Sequence, residues 1–127
     1  MMTRTFTLVL FIAIAIAKPV TIHAQAANVN DSLALVDLYN STNGPNWGEN
    51  EGWLYWSVKN WYGITLDSNG RVINIALGGN ALIGGIPSSL GNISNLQALD
   101  LGGNGRLIGG HTYVLGQSYQ PTIIRFA

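Results

Sequence analysis

Few side chains in this sequence could carry chemistry. Glu49 and Glu51 come nearest to a paired-acid site, since two carboxylates flanking a glycosidic bond can serve as acid and as base or nucleophile. Two acids two positions apart in a loop without periodicity read more simply as a solvated stretch. His111 is the only histidine downstream of the leader described below, and it lies in the least regular part of the chain. Gly116-Gln117-Ser118-Tyr119-Gln120 lacks the final glycine of a nucleophile elbow. Asp67-x-Asn69-Gly70 opens like a calcium loop, but Gly78 stands where the closing glutamate belongs. With no cysteine, thiol catalysis, disulfides and cysteine metal sites are excluded. Neither GxxxxGK[ST] nor GxGxxG occurs. The expectation is a non-catalytic chain without metal or cofactor.

What the chain has in quantity is aromatic surface. Trp47, Trp53, Tyr55, Trp56, Trp61 and Tyr62 crowd one aperiodic stretch, which holds all 4 tryptophans. Two uses compete. Flat rings cover the apolar faces of sugars, so Trp47, Trp53 and Trp56 could form a carbohydrate platform. Alternatively Trp47, Trp53, Trp56 and Trp61 form the core of a plug, each ring burying roughly 150–250 Å². The plug is favoured, because the neighbouring segment needs one.

That segment repeats itself. Val72-x-x-Ile75-x-Leu77-x-x-Asn80 returns as Leu96-x-x-Leu99-x-Leu101-x-x-Asn104, a step of 24 residues. A fixed step of this size marks a solenoid. Ile75 and Leu77, two apart, point to one side of a short strand. Gly78-Gly79 permits the turn, and Asn80 at the corner can bond the backbone groups a turn leaves unpaired. Leu82, Ile86, Leu90 and Ile93 point inward along the returning arc. One coil buries little by itself, whereas stacked coils share a core whose open end must be closed.

Leu-x-x-Leu-x-Leu-x-x-Asn-x-Leu-x-Gly-x-Ile-Pro-x-x-Leu-Gly-x-Leu, met by Val72 to Asn95 and again from Leu96, is similar to the plant-type leucine-rich repeat. The resemblance implies an α/β solenoid: a leucine-rich repeat with short parallel strands on the concave face and Asn80 and Asn104 laddered inside the bend. Leu33 to Leu77 resembles the amino-terminal cap of such repeats, with a helix, an aromatic loop and a hairpin; Trp61-Tyr62-Gly63-Ile64 stands at its Trp-x-Gly-Val segment. Plant members usually carry a disulfide there, but Lys59 and Leu66 occupy those places. Loss of such a crosslink costs about 2–5 kcal/mol, so the tryptophans must hold more of the cap. The cysteine-free Asn43-Gly44-Pro45-Asn46-Trp47 looks more like the bacterial branch.

In chain order, residues 1–26 read as a signal peptide. Arg4 precedes the apolar run Phe6 to Ala17, and Ala24-Gln25-Ala26 suits cleavage after Ala26. About 12 apolar residues cannot cross a hydrocarbon core that needs roughly 20, so no membrane span is expected in the mature chain. Secretion or cell-surface display follows. Residues 27–71 form the cap, 72–110 the repeats and 111–127 a degenerate or truncated third repeat. In that last part Leu99-Asp100-Leu101 returns as Ile124-Arg125-Phe126 at a step of 25, one more than before, because Asn104 to Gly110 carries an extra residue. His111-Thr112 stands where Ile-Pro would, and no carboxy-terminal cap is legible. In the cap, a helix from Asn28 to Asn40 is expected, started by Asn30 or Asp31, the acid also suiting the positive end of the helix dipole, with Leu33, Val36 and Tyr39 on its inner stripe, Leu35 and Leu38 widening it, and Gly44 in the left-handed position at its end. Asp67-Ser68-Asn69-Gly70 should close a hairpin.

Formal net charge is +0 over 127 residues and no basic run occurs, so nucleic acid is not an expected partner. The resemblance implies a binding module for a protein or peptide. Its contacts would come from side chains that alternate with the buried leucines: Asn74, Ala76 and Gly78 in one coil, Ala98, Asp100 and Gly102 in the next, then Ile123 and Arg125. Two other readings stand beside it: a carbohydrate-binding accessory module, and a ligand-less piece of a longer surface protein. Asn-x-Ser/Thr triplets at Asn30, Asn40 and Asn92 matter only in a glycosylating host.

Overall fold

The computed structural model describes residues 27–109 and 123–125. The leader, His111-Thr112 and Phe126 lie outside the described residues.

Helix α1 spans Val29–Ser41. Asn28 caps it, its side-chain oxygen accepting from the N–H groups of Asn30 (3.0 Å) and Asp31 (3.3 Å). The cap is therefore neither Asn30 nor Asp31, because the extended backbone needed at that position falls at Asn28 and both of those residues are already helical. The buried stripe is Asp31, Ala34, Leu35, Leu38 and Tyr39. Leu35, Leu38 and Tyr39 face inward as expected, but Leu33 is exposed and Val36 only half-buried, so the inner face is rotated toward the Leu35–Leu38 side. At the helix end the left-handed residue is Asn43 (φ 62°), and Gly44 follows it in a short 3-10 turn. Gly44 is needed for another reason: a Cβ there would run into the Tyr39 ring.

Strands β1 (Ile64–Leu66) and β2 (Val72–Ala76) form the antiparallel hairpin, with Ile64 opposite Ile75 and a bulge after Thr65. The Asp67 side chain shapes the turn, its Oδ1 accepting from the N–H of Asn69 (2.8 Å) and of Arg71 (2.9 Å). Strand β4 (Ala98–Asp100) pairs parallel with β2, Ile75 beside Leu99. Strand β6 (Ile123–Arg125) pairs parallel with β4, Leu99 beside Ile124. The sheet order β1-β2-β4-β6 thus places successive coils side by side, at steps of 24 and then 25 residues.

A second, two-stranded parallel sheet on the returning arc, β3 (Ile83–Gly85) with β5 (Arg106–Ile108), was not legible beforehand. Its pairs, Ile83 with Arg106 and Gly85 with Ile108, are 23 residues apart. The extra residue of the second coil is therefore not taken up before β5. Between the sheets Leu77, Leu82, Ile86, Leu90, Ile93, Leu96, Leu99 and Leu101 make one continuous buried core with the helix and the rings.

Asp67 gives the fold a measurable acid response. The N–H of Arg71 first, then that of Asn69, the Asn95 side chain and the Arg71 charge, hold its carboxyl below the usual 3.8, against the opposing effect of desolvation. A folded pKa below the unfolded one means stability that is complete above the unfolded value and lost as pH falls through the folded value. Melting curves taken from about pH 5 downward should show an acid step for the parent that is smaller in Asp67→Asn; equal steps would remove Asp67 from the account.

Candidate functional site

Two surfaces present themselves: the outward face of the main sheet, and the turn that carries the aromatic residues. Each is positioned by a different piece of local chemistry.

The sheet face is ordered by strand register. Thr65, Asn74, Ala98 and Ile123 fall in one row across β1-β2-β4-β6, and Ala76, Asp100 and Arg125 in the next. Ala76 is exposed, while Asn74, Ala98 and Asp100 are half-buried. Arg125 is placed by register alone. The Asp100 carboxylate accepts from the N–H of Gly102 (3.0 Å) and lies over Gly78 of the preceding coil, where a Cβ would crowd both its oxygens. The face beside this acid is therefore built of small residues, Ala76, Gly78 and Ala98.

The corner that follows these strands is fastened by two asparagines. Asn104, nearly fully buried, accepts at Oδ1 from the N–H of Asn80 (2.8 Å) and of Leu82 (3.1 Å). Its Nδ2 donates to the carbonyls of Leu77 and Leu101, both at 2.8 Å. One amide thus ties consecutive coils together. Asn80 repeats the device one coil earlier and fastens the cap instead: Oδ1 accepts from the N–H of Glu49 (2.6 Å) and Nδ2 donates to the Glu49 carbonyl (2.8 Å). Glu49 and Glu51 are exposed, and the Glu49 backbone is engaged in this tie. Among the described residues no three His, Cys, Asp or Glu side chains gather.

Three of the four tryptophans plug the first coil. Trp53, 1% exposed, lies between Tyr39 (centroids 5.6 Å, planes 16° apart) and Trp61 (4.7 Å, 29°), with Trp47 edge-on at 4.9 Å and 81°. Every buried indole N–H is satisfied: Trp47 donates to the Thr42 carbonyl (2.9 Å), Trp53 to that of Tyr62 (3.0 Å) and Trp61 to that of Trp56 (2.8 Å). The fourth differs. Trp56 is 53% exposed, so it does not belong to the cap core with Trp47, Trp53 and Trp61. It sits on a turn whose carbonyl, not its ring, serves the core. The same geometry removes Trp47 and Trp53 from any sugar platform, because neither ring reaches the surface.

Sequence reasoning missed one group. Asp31, 0% exposed, receives the Arg71 guanidinium through Nε (2.9 Å) and Nη2 (3.0 Å), and the N–H of Val72 (3.0 Å). Arg71 Nη2 also donates to the Ser94 hydroxyl (2.8 Å). Helix, hairpin and first coil therefore meet at one carboxylate. Asp31, by hydrogen bonding first and by charge also, holds the Arg71 guanidinium above its ordinary range. The available signal was that Asp31 stands in step with Leu35 and Leu38 on the inner stripe, where an acid requires a partner.

No family model matches the chain. Over 47 residues, it is 43% identical to a protein of Arabidopsis thaliana described as a leucine-rich repeat receptor-like protein kinase, a match covering 37% of this chain and 5% of that one. That match covers a repeat region only. Its structure is similar to that of a leucine-rich repeat protein from Bacteroides eggerthii, with a TM-score of 0.53 and 31% identity over 71% of this chain and 16% of that one. It is also similar to a plant ice-binding protein, with a TM-score of 0.51 and 28% identity over 59% of this chain and 24% of that one. The chain spans a small part of the length of each. Short parallel strands, laddered asparagines and these likenesses together relate it to the leucine-rich repeat proteins.

Proposed function

We propose that this chain is a secreted or cell-surface, non-catalytic binding module of the bacterial-branch leucine-rich repeat kind, and that its sheet face recognises a protein or peptide. The observation that carries the reading is the register that sets Asn74 beside Ala98 and Ala76 beside Asp100 beside Arg125. An extended segment laid across the strands would meet small side chains first, with Asp100 as the polar anchor that selects for a cation. Leucine-rich repeat relatives commonly mediate protein binding, which supports the same use of this face. The positive, apolar and small-residue segments of residues 1–26 support export.

The test is selection of a random peptide library against the full chain, followed by affinity measurement on an Asp100→Arg variant. Selected peptides should carry a basic residue, and charge reversal should weaken them by at least about tenfold, the scale of one charge-assisted hydrogen bond. Peptides that bind both forms equally would refute the assignment. Expression with the leader in a secreting host should release a product beginning at Ala27; a retained, uncleaved chain would count against export.

A further inference from the structure

Four consecutive large residues, Trp53-Leu54-Tyr55-Trp56, divide between core and solvent. Trp53 is turned in, whereas Leu54, Tyr55 and Trp56 are 46%, 90% and 53% exposed. Leu54 is held at φ 64°, in the left-handed region that a branched side chain avoids. Such strain persists only where surrounding bonds over-determine the backbone, and it gathers at ligand-holding sites. Here the bonds are visible: the Tyr55 and Trp56 N–H groups both donate to the Gly52 carbonyl (3.2 and 2.9 Å), and the Trp56 carbonyl accepts from the Trp61 indole. Gly52 has no side chain to spare, since a Cβ there would collide with the Trp56 ring. The indole thus rests against bare backbone on one side, and the backbone that carries it is bonded at both its N–H and its carbonyl.

We infer that the turn Gly52 to Trp56 is a second binding site, a platform on which a neutral sugar ring stacks on Trp56 with Tyr55 beside it. An indole or phenol ring presents an apolar face matching the C–H face of a pyranose, and the polar handles of both rings can bond its hydroxyls. The exposed neighbours in sequence suit an uncharged ligand: Ser57 offers a hydroxyl, Asn60 an amide, and the two charges there, Glu51 and Lys59, are of opposite sign. A second copy of the chain fits less well. Three partly exposed side chains offer about 400 Å², against roughly 800 Å² per partner in a stable protein interface. Holding the turn's backbone in advance removes part of the ordering cost that a loose loop would incur on binding. This site shares no residue with the sheet face, so either could stand without the other.

Native electrophoresis of the full chain in gels cast with laminarin, xyloglucan or dextran tests the inference. The parent chain should be retarded by at least one of the three. Tyr55→Ala and Trp56→Ala should each weaken that retardation about tenfold, the scale of one lost ring contact, while Asp100→Arg leaves it unchanged. Because Trp56 is half-buried, its variant could unfold; Tyr55, almost fully exposed, keeps the experiment decisive. No retardation in any gel, or retardation that survives Tyr55→Ala, overturns the site. So does a dimer in size-exclusion chromatography that Tyr55→Ala converts to monomer, since the turn would then be a self-contact.

Discussion

Arg71→Ala is expected to destabilise the fold by about 4 kcal/mol, and Asp31→Ala by about 3 kcal/mol. Both break the same ion pair, and the difference lies in what each leaves behind. Removing the guanidinium strands a carboxylate that is 0% exposed, with the Val72 N–H as its remaining partner. Removing the carboxylate strands a guanidinium whose side chain is 24% exposed, so water can take over part of its solvation. The Val72 N–H is orphaned in addition. Arg71→Lys should fall between zero and the alanine value, because a single ammonium cannot present the two-pronged contact seen at Nε and Nη2. Against a total of about 5–15 kcal/mol for a domain, losses of this size would shift the urea midpoint plainly while leaving the slope unchanged. Equal midpoints for parent and Arg71→Ala would show that the pair contributes nothing net. A larger loss for Asp31→Ala than for Arg71→Ala would reverse the burial argument.

The ion pair also shows where reading the sequence runs out. The coils were legible because every coil solves the same problem with the same residues: Leu77 and Leu101 recur, as do Asn80 and Asn104, and β2 and β4 pair at that very step. Periodicity states which side a residue faces. The cap has no period, so its residues declare their type but not their direction. Trp53 and Trp56 are alike on paper, yet one is the centre of the ring stack and the other lies on the surface. What separates them is the turn at Gly52 and Leu54, a backbone choice enforced by bonds from Asn50, Gly52 and Trp61. The helix failed in a related way. Apolarity alone puts Leu33 on the inner stripe, and an acid in the first turn suits the helix dipole, which is all that the types of Leu33 and Asp31 declare. In the fold Asp31 does lie in the first turn, but its carboxylate is turned inward to a partner 40 residues away. The β3–β5 sheet was invisible for a third reason. It rests on backbone pairing between segments containing Gly84, Gly85 and Arg106, which carry no strand signature.

Asn104→Ala is expected to cost about 4 kcal/mol, more than Asn80→Ala at about 2 kcal/mol, although the two residues occupy equivalent positions in successive coils. Each buried polar group left without a partner costs about 1–3 kcal/mol, less where water can enter. Alanine at 104 orphans the N–H groups of Asn80 and Leu82 and takes a donor from the carbonyls of Leu77 and Leu101, all well inside the corner. Alanine at 80 releases only the Glu49 N–H and carbonyl, on an exposed residue that solvent reaches from the far side. The consequence for function differs as well. Asn104 joins the Asp100 coil to the Ala76 coil, so its loss should loosen the rows of the sheet face and weaken any peptide held there. Asn80 joins the first coil to the aromatic cap, so its loss should spare the sheet face and mobilise the loop leading to Gly52. Hydrogen exchange at the Leu77 N–H, which donates to the Asp100 carbonyl (2.8 Å), reads the first effect directly. Exchange at that amide should quicken strongly in Asn104→Ala and little in Asn80→Ala; the opposite order would mean that the coils are held by their leucines alone and the asparagine ladder is incidental.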